Sequence, residues 1–65
     1  MKQEEIREMA TQDLRDRLEQ MEKDYRQARI NHAVTPLDNT AKLTADRRSI
    51  ARVKTELRRR ELNNQ

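Results

Sequence analysis

A single proline, Pro36, separates two stretches whose apolar residues recur at helical spacings, and that arrangement leaves few folds open. In the first stretch the series is Leu14, Leu18, Met21, Tyr25, Ala28 and His32. In the second it is Leu43, Ile50, Val53 and Leu57, with Asp46 at the seam position between Leu43 and Ile50. A helix turns about 100° per residue, so such positions fall into one narrow stripe. A narrow stripe packs against one partner helix, not inside a large core. Pro36 lacks an N–H and pushes Thr35 toward extended backbone, which ends the first helix. A short connection over 34–39 makes the flanking helices antiparallel neighbours.

The chain has no glycine and no alternating strand pattern, and good helix formers dominate it. The expected fold is all-α: an antiparallel two-helix hairpin with a short N-terminal helix, in a single domain over residues 1–65. The short helix is expected at 2–9, with Ile6 and Met9 on one side. The first long helix is expected at 12–33, with Thr11 as its N-cap and Asp13 near the positive end of its dipole. A turn at 34–39 leads to a basic helix at 40–61, capped by Asn39. Residues 62–65 are expected to fray. Each long helix of about 22 residues spans roughly 33 Å, and the matched lengths suit a hairpin.

With 65 residues, 42% of them charged, the core must be thin. There is no cysteine, so neither a disulfide nor a zinc–thiolate site can staple it, and a binding partner is the staple that remains. Met9 and Met21 read as core fillers. Together with the Asp46 defect, the thin core implies marginal stability without a partner. The opening Met1-Lys2-Gln3-Glu4-Glu5 has no apolar signal segment, and no stretch approaches the roughly 18 apolar residues of a membrane span. We therefore expect a soluble, cytoplasmic protein.

The net charge of +3 conceals an asymmetry. Residues 1–33 balance to −1, whereas residues 41–62 carry eight Lys/Arg against three Asp/Glu. A basic half points to a polyanionic partner. With Ile50 at zero on the helical wheel, Leu43, Val53 and Leu57 lie within about 60° of it. Arg48, Arg52 and Arg59 lie roughly 160–200° away, with Thr55 between them. Arg47, Lys54 and Arg58 gather on one flank. One face of this helix therefore folds the hairpin and another carries positive charge. Arginine suits phosphate because its planar fork binds two oxygens at once.

Other chemistries find little support. His32 has no Cys or second His to complete a metal site, and no cofactor is expected. Glu4, Glu5, Glu8, Asp13, Asp16, Glu19, Glu22 and Asp24 lie along helix surfaces with no pocket to tune a catalytic pKa. Pairs such as Arg15 with Glu19, or Glu22 with Arg26, read as helix-surface ion pairs. The acidic N-terminal face serves to keep that helix off a polyanion. Zipper-type DNA readers place the basic region before a long heptad run, whereas here the basic residues overlap the last heptads. Single-strand readers stack bases on aromatics, and the only aromatic, Tyr25, sits on the seam. Recognition of a folded RNA by shape and phosphate remains.

Residues 47–55 read Arg-Arg-Ser-Ile-Ala-Arg-Val-Lys-Thr. They resemble the signature Arg-Arg-x-Ile/Val-Ala-Arg-Ile/Val-x-Thr of the L29 family of bacterial large-subunit ribosomal proteins. The resemblance extends over nearly the whole chain. Glu5-Ile6-Arg7-Glu8-Met9 is similar to the family's opening, and Thr11 to Leu14 to its Ser-x-Glu-Glu-Leu helix start. His32-Ala33 and Leu37-Asp38-Asn39 match its turn region. The departures are Asp46 in place of Val or Ile, Thr35-Pro36 in place of Gly or Gln, and Thr40 in place of proline. The resemblance implies a helical hairpin that binds large-subunit ribosomal RNA near the exit of the nascent-peptide tunnel. It also implies a place beside large-subunit protein L23, where factors that receive nascent chains dock. It assigns RNA contact to Arg47, Arg48, Arg52, Lys54 and Thr55, and the same basic surface adds Arg58 and Arg59. The expected role is a structural constituent of the large ribosomal subunit, not an enzyme, with no small-molecule substrate and no membrane partner. The alternative is a helical interaction module, a homodimeric coiled coil whose basic face is solvated.

Overall fold

The computed structural model describes residues 2–34 and 40–63, which form three helices: α1 (Gln3–Glu8), α2 (Thr11–Val34) and α3 (Thr40–Asn63). The expected turn residues Thr35 to Asn39, with the Asn39 cap, lie outside the described residues, as do the last two positions of the expected tail. Leu62 and Asn63 are helical, so α3 runs two residues beyond the predicted end at 61.

The junction of α1 and α2 differs from expectation in its capping. Met9 takes an extended backbone and donates its N–H to the Ile6 carbonyl at 3.3 Å, which stops α1. The Leu14 N–H donates to the Ala10 carbonyl at 3.0 Å, so α2 starts at Thr11 and Thr11 is not its N-cap. The Ala10 carbonyl takes the first helical bond, so Ala10 holds the cap position and Thr11 already lies inside the helix. The Thr11 hydroxyl accepts from Arg60 Nη1 of α3 at 3.1 Å, a charged donor in place of a backbone one.

The contacts establish the antiparallel order of α2 and α3. The start of α2 meets the end of α3 through Thr11 and Arg60. Midway, Glu22 faces Lys54. Further toward the turn, Met21 and Asp24 of α2 share a groove with Lys42, Asp46 and Ile50 of α3. The result is a rod of 44 × 18 × 16 Å.

The core is lopsided. Ile6, Leu14 and Val53 are fully buried and join Leu57, with Met9, Leu18 and Met21 packed around them. This places the core where α1, the start of α2 and the end of α3 meet. The α1 helix lies against α3 and contributes Ile6 as a third wall. Toward the turn the seam thins: Tyr25, Ala28, His32 and Leu43 are only half-buried. On the back of α2, Ile30 is 58% and Val34 78% exposed. Asp46 is half-buried and lines the groove shared with Met21 and Asp24, so the defect read from the sequence lies outside the core cluster. Among the described residues, no helix is long and apolar enough to cross a membrane.

Candidate nucleic-acid interface

The seam fixes the orientation of α3, and that orientation decides which side chains reach solvent. Ile50, Val53 and Leu57 face α2 and are buried. Arg47, Arg48, Arg52, Lys54, Thr55, Arg58 and Arg59 are all exposed. The angular separation read from the sequence is therefore realised as a physical separation between folding face and charged face. The Thr55 hydroxyl donates to the Ala51 carbonyl at 2.8 Å, which fixes its rotamer and leaves its oxygen lone pairs toward solvent.

The flank residues acquire neighbours from α2. Arg47 and Lys54 share a groove of about 220 Å³ with Glu22, Tyr25, Arg26 and Ile50. Glu22, expected to pair along its own helix, reaches Lys54 Nζ at 3.7 Å. The contact is loose and exposed, so it leaves the ammonium available to an anion. Arg29 stands 5.9 Å from the centroid of the Tyr25 ring. The sequence pairs Arg26 only with Glu22 along its own helix and assigns Arg29 no role. They lie on α2, and only the fold brings Arg26 beside Arg47 and Lys54. Elsewhere on α2 the outer polar residues satisfy one another, as Gln20 does in donating to Asp24 at 2.9 Å.

The largest surprise is Glu56. It is one of three acids among the eight cations of residues 41–62, yet it is 2% exposed. Arg59 grips it at two points, Nε to Oε2 at 3.0 Å and Nη2 to Oε1 at 2.7 Å. Arg60 Nε reaches Oε1 at 3.2 Å. The rest of the Arg60 guanidinium turns inward, where Nη2 donates to the carbonyls of Ile6 and Arg7 at 3.3 and 3.1 Å. Arg60 thus ties the end of α1 and the start of α2 to α3, and it is a folding residue. The spacing of Glu56 to Arg59 and Arg60 was the available signal, since positions three and four apart share a helix face.

The Glu56 carboxyl is held at about 2, below its ordinary value of 4.5, chiefly by the hydrogen bond from Arg59 and further by Arg60, against the opposing effect of burial. The same pairing raises the Arg59 guanidinium. A depressed carboxyl favours the folded state wherever the unfolded chain binds a proton that the folded one does not. The stabilisation from this cluster is complete above pH 4.5 and is lost as pH falls toward 2. Urea midpoints measured between those limits should therefore fall more steeply for the wild type than for Glu56→Gln. Parallel curves would show that the cluster is not coupled to folding.

His32 is half-buried on the seam, and its Nδ1 is buried without a hydrogen-bond partner. Among the described residues, no group of three or more His, Cys, Asp or Glu could hold a metal ion.

Comparison with known proteins adds an independent line. Residues 4–60 match the family model described as Ribosomal L29 protein. The chain is 55% identical over 64 residues to large ribosomal subunit protein uL29 of Bacteroides thetaiotaomicron, covering 98% of each chain. It is 57% identical over 63 residues to the protein of that name from Porphyromonas gingivalis, covering 97% of this chain and 98% of the relative. The Flavobacterium psychrophilum protein is 40% identical over 62 residues, covering 95% and 98%. No solved structure matches.

Proposed function

The chain belongs to the ribosomal L29 protein family, and from that premise we propose that it is a structural constituent of the large ribosomal subunit that holds ribosomal RNA with the outer face of α3. It is a structural protein and not an enzyme. Its place of work is the ribosome in the bacterial cytoplasm. One observation carries the RNA assignment. Six cations stand exposed on α3: Arg48, Arg52 and Arg59 opposite the face that builds the core, and Arg47, Lys54 and Arg58 on its flank. Such a surface can bind a folded RNA without disturbing the hairpin. The finer placement, near the exit of the peptide tunnel, beside protein L23 and within reach of nascent-chain factors, is part of the same proposal and rests on the family resemblance. The alternative of a homodimeric coiled coil would need the seam that α2 and α3 cover between themselves.

Counterion release supplies the test. Large subunits stripped of the chain by salt are titrated with purified protein at several salt concentrations. Four to six phosphate contacts should give a slope of log affinity against log salt of roughly −3 to −5. A slope near zero, or a stable free dimer in light scattering with no subunit-bound pool, would refute the assignment.

A further inference from the structure

Resting on the ribosomal RNA reading above, we propose that Glu56 is a positioning residue for the interface: it fixes the Arg59 guanidinium so that the remaining donor edge meets phosphate. Glu56 lies outside the nine-residue signature, and by charge alone it should oppose RNA binding. Its geometry argues for a different part. A buried carboxylate is unfavourable unless it is paired and hydrogen-bonded, and both oxygens of Glu56 are engaged.

The two arginines that engage it point in different directions. The Arg60 side chain is 17% exposed and turns into the molecule. The Arg59 side chain is 57% exposed, and its backbone position lies opposite the seam. The carboxylate occupies the Nε–Nη2 edge of Arg59. A guanidinium has five N–H donors in a planar fork, so the Nη1–Nη2 edge is the one left to bind two oxygens of a phosphate. The contrast with Lys54 is instructive. That ammonium meets Glu22 through one contact at 3.7 Å, which does not fix its direction. Arg59 is gripped at two points, so its plane as well as its position is set before the RNA arrives. An exposed arginine must otherwise give up rotamer freedom on binding, and the carboxylate removes part of that loss in advance.

Positioning and simple charge make opposite predictions. Glu56→Gln removes a negative charge beside the interface, which by electrostatics alone should tighten binding. If Glu56 positions Arg59, the same change should weaken binding by roughly two- to tenfold, the effect of ordering one flexible side chain. The experiment is a double-mutant cycle with the full chain, binding to salt-stripped large subunits at one fixed salt concentration. Arg59→Ala should weaken binding, and adding Glu56→Gln to it should cause no further loss. Thr11→Val cuts an Arg60 contact without touching Arg59 and should bind as the wild type does, with helix content checked by circular dichroism for all variants.

Tighter or unchanged binding by Glu56→Gln overturns the proposal. So does a loss that persists in the Arg59→Ala background, or one that Thr11→Val reproduces, since either would mean general damage to the helix junction. A lack of effect confined to Glu56 and Arg59 removes only this role. Failure of charge reversal at Arg48 and Arg52 to weaken binding would remove the interface itself.

Discussion

Arg48→Glu combined with Arg52→Glu is expected to weaken binding to the large subunit by roughly 10²- to 10⁴-fold while leaving the helices intact. Each arginine removed from phosphate loses a charge-assisted hydrogen bond worth about 1.5–3 kcal/mol, and every 1.4 kcal/mol or so is a factor of ten in affinity. Each reversed charge also repels the phosphate it faced. The salt slope should become shallower by about two, because two fewer counterions are released. The fold should tolerate the change because both side chains are exposed on the face away from the core. The one foreseeable strain is a new glutamate at 52, one turn before Glu56, a like-charge pair that costs a few tenths of a kcal/mol. Far-ultraviolet circular dichroism should therefore match the wild type when binding is lost. Loss of helix with binding retained would overturn the division of α3 into a folding face and a charged face.

Leu14→Ala should have the second large effect, on the free protein. Leu14 is fully buried among Ile6, Val53 and Leu57. Truncating a buried leucine to alanine costs about 2–5 kcal/mol. A scaffold of this size rarely has more than about 3–5 kcal/mol in total. The free variant should therefore be largely unfolded at 25 °C, with most of its helical signal gone. Stripped large subunits in excess should recover much of it, since a partner that binds only the folded chain stabilises it by mass action. A sharp unfolding transition at high urea for the free variant would show that the core is not confined to the cluster described above.

The seam was legible because its spacing has one simple reading. Leu14, Leu18 and Met21 on one helix, and Ile50, Val53 and Leu57 on the other, can lie together only on helices. The basic face followed by geometry, since a position half a turn from a buried residue must be exposed. Thr11 shows where local rules stop. A threonine before an amphipathic run is a good N-cap, but Arg60 lies 49 positions away in the sequence and takes its hydroxyl. The burial of Glu56 is hidden from the sequence for a similar reason. Burial of a carboxylate depends on what surrounds it in space, and Arg60, which engages it, is itself held by the carbonyls of Ile6 and Arg7. Arg60 was counted among the cations because its type gives no sign of which way it points. Arg26 joined the basic patch only when the hairpin brought α2 beside Arg47 and Lys54.

The lopsided core has a consequence for how the chain reaches its fold. A hairpin packed tightest near its turn could zip up from there, with each step closing a short loop. This one is fastened at the far end, where Ile6 and Leu14 meet Val53 and Leu57, and Arg60 bonds to the Ile6 carbonyl 54 positions before it. Nearly the full length of backbone must be drawn into one ring before its best contacts reward the lost entropy. Both ends are therefore indispensable together. The core can close only when residues near 6 and near 60 are present together.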